Sequence, residues 1–349
     1  RVAQLSGYVS EHAAYHHGEA SLQSTIIGMA QVFTGTNNIN LLKPNGQFGS
    51  RIMGGADSAS PRYIHTQLNK LTNIIYPLND FPLLEYNNDD CVLIEPKYYV
   101  PIIPFALING ISGIGTGFSC SIPAFSPTQI IDYLRFKLRG NDVKAAGEFA
   151  PYYEGFKGTV SLLRENKYLV RGVYEKIGDD KIRITELPIG AWTMPYTSFL
   201  EGLMDGRTDK SGKKVAPSIR DFTSICTEVS VDITVVLPRG KLSELESSTD
   251  PVTGINGIEK LFKISTTVST TNMHMFNRDC KLHKYGSVEE IIEEFYDVRI
   301  AMYAKRKAYL IDALQKKLIK LSNRAKYILA TLNGTVDLRK KKSQEVTDL

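Results

Sequence analysis

The sequence predicts an α+β chain of several domains that ends in a long helix, and three observations carry that reading. Its 349 residues are 42% hydrophobic and 23% charged, values of an ordinary globular chain, and at about 150 residues per domain they allow two or three domains. Segments with apolar residues at helical spacing alternate with short runs of period two. Finally, the stretch between Ser287 and Gly334 contains neither proline nor glycine. At ~1.5 Å per residue, a helix there would run roughly 65–70 Å.

The composition excludes wholesale disorder, collagen and a membrane bundle, and a chain of this length buries a sizeable core without covalent staples. The four cysteines, Cys91, Cys120, Cys226 and Cys280, are scattered with no CxxC, which suits a reducing compartment. The first residue is Arg1, so the sequence reads as a piece of something larger. The formal charge is +5, but residues 300–349 alone carry +8 and the rest −3. Contact with a polyanion in the first part must therefore come from local clusters. No charge occurs between Lys97 and Asp132. Pro101, Pro104, Pro123 and four glycines interrupt that stretch, so a buried strand and a Gly-rich loop are expected there, not a membrane span.

Taken in order, Leu22, Ile26, Met29, Ala30 and Phe33 mark a helix. Ile39–Leu42 reads as a strand, and Gln47–Gly55, bounded by glycines, as a hairpin. A helix followed by such a hairpin is the pattern of a winged helix. Ser60-Pro61 reads as an N-cap with proline at the first helical position, and Ile64, Leu68, Leu71 and Ile75 as one face of the helix that follows. Thr159–Arg164 and Tyr168–Lys176 read as paired strands, and Gly178-Asp179-Asp180 as the turn into Lys181–Leu187. Val229, Val231, Ile233 and Val235 alternate as in a half-buried strand. Trp192–Met204 and Lys241–Glu246 are expected to be helical, and Asp205–Lys214 a loop. Ser287 and Glu290 form a capping box, and Gly334 is a stop. Ile311, Leu314, Leu318, Leu321, Ala325, Ile328 and Leu332 follow the 3-4 spacing of a coiled-coil seam. Lys305, Arg306, Lys307, Lys316, Lys317 and Lys320 lie off it, as a solvated face does. The basic tail Arg339–Lys342 is compatible with a nuclear signal.

Several chemical templates fail. There is no GxxxxGK[ST], and Gly113-Ile114-Gly115-Thr116-Gly117-Phe118 lacks the third glycine of a dinucleotide loop. His274, Cys280 and His283 lack a fourth ligand nearby, so structural zinc is not expected, and Asp89-Asp90 and Asp179-Asp180 read as solvated turns. A tyrosine recombinase would show H-x-x-R, which no histidine here opens.

Two constellations remain. In Ser60-Pro61-Arg62-Tyr63, helical spacing puts Tyr63 off the apolar stripe and in a first turn, where free N–H groups favour an anion. Arg62 can hold a phosphate bidentately. A phenol so placed can attack phosphorus and conserve the bond energy as a phosphotyrosine, given cations or a base to offset its reference pKa near ~10. A structural tyrosine fits the same local pattern. In Tyr15-His16-His17-Gly18-Glu19, two imidazoles could contact a phosphate or move a proton, and capping or core histidines are the alternative.

Together with these two motifs, Arg1-Val2-Ala3-Gln4-Leu5, Asn38-Ile39-Asn40-Leu41-Leu42, Gly46-Gln47-Phe48-Gly49, Glu95-Pro96, Pro101-Ile102-Ile103-Pro104, Leu107-Ile108-Asn109-Gly110, Gly113-Ile114-Gly115-Thr116-Gly117 and Ile184-Thr185-Glu186-Leu187-Pro188 stand in family order. The chain resembles the breakage–reunion region of type IIA DNA topoisomerases over essentially its whole length, in the wording of the single-chain eukaryotic and viral branch. The resemblance implies a winged-helix domain over 1–92, an α/β tower domain over 93–280 and the base of a coiled-coil arm over 281–349. It implies that Tyr63 is the nucleophile that becomes linked to a 5′ phosphate, that Arg62 stabilises the transition state, and that His17, with His16, lies beside the scissile phosphate. Lys43, Gln47 and Arg51 are expected DNA contacts. Ile114 is the expected wedge, an apolar tip that enters a base step and kinks the duplex. The partners implied are double-stranded DNA and a second copy of the chain.

Mg²⁺ and ATP are implied for the intact enzyme, bound outside this chain, since no EGDSA-like acidic motif and no DxD occurs in it. Likewise, the returning half of the coiled coil would lie beyond this chain. Localisation is expected to be nuclear for a cellular enzyme, or host cytoplasm or nucleus for a large DNA virus. Ala20 after Glu19 and the stretch Pro251–Ile255 depart from the commonest family wording. A non-enzymatic winged-helix module that only binds DNA and dimerises is the rival reading.

Overall fold

The computed structural model describes residues 1–208 and 214–336. It begins with two packed helices, α1 (Val2–His12) and α2 (Glu19–Ala30). Most of the predicted apolar stripe holds: Leu22, Ile26 and Ala30 are buried and pack, with Met29 beside them, against Val2, Leu42, Phe48 and Ile64, but Phe33 lies beyond the end of the helix. The strand expected over Ile39–Leu42 reduces to a sparse ladder, in which Leu42 opposes Leu68 and Asn45 opposes His65. The expected hairpin Gln47–Gly55 is instead a run of turns. Gly49 and Gly55 approach so closely that a Cβ on Gly49 would sit 2.6 Å from the Gly55 Cα. No ladder can form between segments wound that tightly.

The helix expected from Ser60 is also corrected. Pro61–Tyr63 is a turn, and helix resumes only at α3 (Lys70–Ile75), capped by Asn69. The backbone over 65–69 is occupied by the ladder to 41–45, so Leu68 and Leu71 are exposed and only Ile64 and Ile75 are buried.

A 3₁₀ turn (Leu78–Leu83) and the hairpin β1 (Tyr86–Asp89)–β2 (Val92–Pro96) follow, with Asp89-Asp90 at its turn. In the uncharged stretch, the buried strand gives way to a short helix, α4 (Phe105–Asn109), and a hairpin, β3 (Ile111–Gly115)–β4 (Phe118–Ile122). Gly110 between them has φ +73°, and a Cβ there would lie 2.6 Å from the Ile122 carbonyl oxygen. α5 (Pro127–Arg139) starts on the Ser126 cap and stops at Gly140. α4, β4 and α5 share one core with the first turns of the final helix.

Next come β5 (Thr159–Arg164), β6 (Lys167–Arg171), β7 (Val173–Gly178) and β8 (Lys181–Glu186). The single strand expected over Tyr168–Lys176 is two, because Gly172 divides it. Its own N–H bonds the Ile264 carbonyl, and a Cβ there would lie 2.3 Å from the Glu186 carbonyl oxygen. β6 joins a three-stranded sheet between β5 and the strand Ser265–Ser269, and β7 a four-stranded one in the order Asp221–Ser224, Ile233–Val236, β8, β7, all neighbours antiparallel.

α6 (Thr193–Met204) packs on the larger sheet. The polar segment that follows pairs at its ends as β9 (Arg207–Thr208) with β10 (Lys214–Val215), and its middle lies outside the described residues. β11 (Asp221–Ser224) and β12 (Ile233–Val236) complete the sheet. Val231, Ile233 and Val235 are buried, whereas Val229 is exposed in the connecting turn. α7 (Lys241–Ser247), α8 (Gly257–Leu261), β13 (Ser265–Ser269) and the hairpin β14 (His274–Phe276)–β15 (Leu282–Lys284) lead to α9 (Val288–Leu332).

The Ser287 hydroxyl accepts from the Glu290 N–H as expected, but Glu290 returns its bond to Gly286, not to the cap. α9 ends at Asn333-Gly334, with Gly334 at φ +72°. Its last buried residue is Met302, and the predicted seam from Ile311 to Leu332 is exposed throughout. The basic cluster Arg339–Lys342 lies outside the described residues. No described helix is long and apolar enough to cross a membrane.

One residue of the basic run is misassigned by periodicity. Arg306 is not solvated but turns back to Asp80, with Nε 2.5 Å from Oδ1. Asp80 and Arg299 are both buried, their ion pair is 2.7 Å, and Arg299 also donates to the Val100 carbonyl. Arg299 lies over the Tyr303 ring at 4.1 Å, a cation–π contact. Burial alone would raise the Asp80 carboxyl, but the bonds from Arg306 and Arg299 outweigh it and hold it below the usual carboxylate range.

Asp80→Asn is expected to cost about 3 kcal/mol at pH 7, since it leaves a buried guanidinium uncompensated. A carboxylate with a depressed folded pKa stabilises fully above its unfolded value near ~3.9 and loses that contribution as pH falls through the folded value. Urea unfolding from pH 7 to pH 3 should therefore show the gap between the two proteins closing in acid.

Candidate nucleic-acid interface

Tyr63 sits in the Pro61–Ile64 turn, closed by its own N–H to the Ser60 carbonyl at 2.9 Å. The start of α1 clamps that turn from the other side: Val2 N–H donates to the Ile64 carbonyl and Ala3 N–H to that of Pro61, each at 3.1 Å. Residues 61–63 are a turn and not the first turn of a helix, so the anion site expected from a helix capped at Ser60 does not form as predicted, and the neighbouring N–H groups of α1 are spent on the chain. Ile64 is 2% exposed and anchors the turn in the first core. Tyr63 itself is 77% exposed. Among the described residues its hydroxyl makes no hydrogen bond, and the adjacent Arg62 is exposed and unpaired. A buried neighbour and two backbone clamps thus hold a free phenol outward.

The ladder brings part of the predicted set to this turn. Lys43 N–H bonds the Gln67 carbonyl, Asn45 and His65 exchange both bonds, and Ala59 N–H bonds the Gln47 carbonyl. Lys43 and Gln47 therefore flank Tyr63 on the neighbouring segment. The Gln47 amide donates to Glu228 at 3.2 Å, an acid from the β11–β12 turn. His16 and His17 are exposed in the α1–α2 loop, and the His17 ring meets Tyr15 edge-on at 5.6 Å. Their loop is at the opposite end of α1 from the Tyr63 turn, roughly 16 Å along an 11-residue helix, and no bond joins His17 to Tyr63. Ile114 stands on the β3–β4 hairpin, one pair short of its turn, and is 93% exposed.

Arg51 requires correction. It is 5% exposed and ion-paired to Glu186, itself 1% exposed. Glu186 also accepts from the Leu187 and Lys157 N–H groups. A guanidinium so enclosed cannot reach a duplex; it fastens the first core to the end of β8. Around the pair, Thr193 and Met194 N–H groups bond the Arg51 and Ile52 carbonyls. Trp192 lies edge-on to Phe33 at 5.7 Å and against Gly35 and Gly54.

Reasoning from sequence missed Glu186, Trp192 and Asn109. Glu186 stood in a recognised motif, and its signal was an acid at the alternate position that Ile182 and Ile184 occupy before it. Asp57, the acid nearest Tyr63 in sequence, has both oxygens taken by the Ser50 N–H and hydroxyl, at 2.9 and 2.5 Å. Hydrogen bonding holds its pKa low against the opposing effect of burial. Those bonds tie it to the Ser50 turn, and no described group of three His, Cys, Asp or Glu residues could hold a metal. Among the described residues, Asp57 and its surroundings do not fit a Mg²⁺ site.

Comparison with known proteins places the chain among the type IIA DNA topoisomerases. It belongs to the DNA gyrase/topoisomerase IV A-subunit family, whose model matches residues 1–349. It is 46% identical over 350 residues to DNA topoisomerase 2 of Bombyx mori and 43% identical over 352 residues to that of Arabidopsis thaliana. Both matches cover 100% of this chain but only 22% and 23% of those proteins, so the chain spans less than a quarter of their length. The crystal structure of the Plasmodium falciparum topoisomerase II DNA-binding, cleavage and re-ligation domain superposes with a TM-score of 0.91 at 41% identity, over 99% of this chain and 45% of that one.

The sole tryptophan reports on the joint at Arg51. A Cβ on Gly54, at φ +63°, would lie 2.3 Å from Trp192 Nε1. Gly54→Ala is expected to shift the emission maximum to the red and to lower stability by about 2 kcal/mol through overpacking and backbone strain. Fluorescence and thermal melts check both.

Proposed function

We propose that this chain is the DNA-cleaving and rejoining part of an ATP-dependent type IIA topoisomerase that passes one duplex through a transient double-strand break in another. The observation that carries this is Tyr63: a phenol held outward by a rigid turn, with an unpaired guanidinium beside it. In the reaction the Tyr63 oxygen attacks a backbone phosphorus. A bond forms to the 5′ phosphate, the bond to the 3′ oxygen breaks, the phenol loses its proton and the 3′ oxygen gains one. Reversal reseals the strand because the phosphotyrosine keeps the bond energy. Arg62 stabilises the charge on the phosphoryl oxygens.

Lys43, Gln47, His16 and His17 contact the duplex on either side, chiefly through its backbone. Residues 1–92 act as a winged-helix domain, 93–280 as the tower and 281–349 as the base of the coiled-coil arm. Ile114 enters a base step and kinks the DNA. Two copies each supply one tyrosine to a double-strand break. Mg²⁺, which stabilises a leaving oxygen in such transfers, and ATP bind in other parts of the intact enzyme. The nucleus is the natural site of action of a cellular enzyme of this kind.

Tyr63→Phe in the full-length protein is expected to abolish the covalent protein–DNA adduct trapped by denaturant, while duplex affinity changes less than about twofold, because only the nucleophilic oxygen is removed. Adduct at the wild-type level would overturn the assignment and leave a binding module. The 349-residue chain alone, with Mg²⁺, is expected to leave supercoiled plasmid intact. Tyr63-dependent linearisation by it would place a metal site within this chain.

A further inference from the structure

Ile114 can kink a duplex only if its hairpin stands at a fixed angle to the elements that grip the same DNA. The hairpin is rooted at Asn109-Gly110. β4 is held on its far side, where the Ser121 N–H bonds the Asn272 carbonyl at 2.8 Å and Phe118 meets Phe276 edge-on; at the root Gly110 permits the sharp turn and supplies no side chain to hold it, so the restraint there comes from its neighbour. Asn109 is clamped by three bonds. Its Oδ1 accepts from the Ile39 N–H at 3.0 Å, and its Nδ2 donates to the Ile39 carbonyl at 2.9 Å and to Asn37 Oδ1 at 3.1 Å. With Ile39, the Asn109 amide copies the two-bond pairing of adjacent strands. Asn37 carries the connection onward: its Nδ2 donates to the Gly28 and Gln31 carbonyls at 2.7 and 3.0 Å. Those carbonyls are at the C-terminal end of α2, where helices leave acceptors unfilled.

Asn38 fastens the parallel side. Its Nδ2 donates to the Ile108, Phe125 and Tyr152 carbonyls, and its Oδ1 accepts from the Glu154 N–H at 2.8 Å. Two short, stiff amides in series thus join the end of α2 to the root of the Ile114 hairpin. Both are half-buried, so water competes weakly for their bonds.

We propose that Asn109, locked to Asn37, is a positioning residue that sets the angle between the Ile114 hairpin and α2, so that the grip of the first domain on a duplex and the wedge act on it together. The proposal rests on the reading of Ile114 as a DNA wedge. The arrangement of donors makes it specific. Asn109 needs one acceptor facing the Ile39 N–H and one donor group facing two oxygens. Asn109→Asp keeps the shape and the acceptor but turns an oxygen toward Asn37 Oδ1 and the Ile39 carbonyl. Asn37 cannot answer by flipping its amide without giving up both bonds to α2.

The test uses the full-length protein and a duplex labelled at both ends for energy transfer, with wild type, Asn109→Asp, Asn37→Ala, Ile114→Ala and the double variant Asn109→Asp/Ile114→Ala. Asn109→Asp is expected to lower the ratio of bent to unbent bound duplex about tenfold, the effect of losing a buried donor and gaining a repulsion. Affinity for a pre-bent duplex should be nearly unchanged, and the double variant should bend DNA no less than Ile114→Ala alone, because both act through one wedge. Asn37→Ala cuts only the link to α2 and should show the same pattern more weakly; it serves if Asn109→Asp does not fold. Normal bending by Asn109→Asp or, failing its folding, by Asn37→Ala, beside a defect in Ile114→Ala, would overturn the proposal and leave the wedge standing. Additive losses in the double variant would also overturn it. Normal bending by Ile114→Ala would instead overturn the wedge reading itself, and the positioning role with it.

Discussion

A guanidinium and a carboxylate, both nearly out of water, hold the Tyr63-bearing core to the four-stranded sheet. Arg51 comes from a loop of glycines and Glu186 from the last residue of a strand. Pairs of this kind add little net stability over apolar residues of the same shape, yet removing one partner is costly because the other stays buried and charged. Their value here is geometric. Beside the pair the Arg51 loop bonds to the start of α6, and Trp192 lies against Gly54 of the same loop. The turn with the free phenol is therefore referenced to the larger sheet, not only to its own small core.

Much of the fold was legible because it depends on periodicity. Leu22, Ile26 and Ala30 of α2 and Ile182 and Ile184 of β8 are buried as their spacing announced, β5, α6 and α7 form where they were expected, and α9 starts on its Ser287 cap although its 311–332 seam stays exposed. The failures have two physical causes. Ile39–Leu42 and Pro61–Ile75 lie where two segments compete for the same backbone groups, whereas glycines fold Gln47–Gly55 back on itself. Local propensity favoured helix after Ser60-Pro61, but the ladder from Lys43 to Asn45 took the donors and acceptors of 65–67 instead. Strand β6–β7 failed likewise: nothing local to Gly172 shows that Glu186 crosses it at contact distance.

The candidate site was legible unevenly for a related reason. Tyr63, Arg62 and Ile114 are exposed side chains of distinctive chemistry, and a motif alone marks them. Arg51 looked the same in sequence, since a buried arginine and a surface arginine differ only in whether an acid waits in a distant strand. Asn37 and Asn109 stood in recognised motifs but carry no chemistry by themselves. Their importance lies in which carbonyls they reach, which no local pattern discloses.

Asp80 has a consequence beyond stability. α9 leaves its core at Met302, and the two arginines that bind Asp80 stand at that point of exit, at positions 299 and 306. Some 26 residues, about 39 Å of helix, then extend beyond that point with their predicted seam exposed. Such a rod behaves as a lever whose fulcrum is one carboxylate. A tilt of about 5° there, the scale of a side-chain adjustment in a packed core, would carry the far end through roughly 3 Å. Any motion fed into the rod at its tip is divided by the same ratio at Asp80, and from there it enters the core that also holds the root of the Ile114 hairpin.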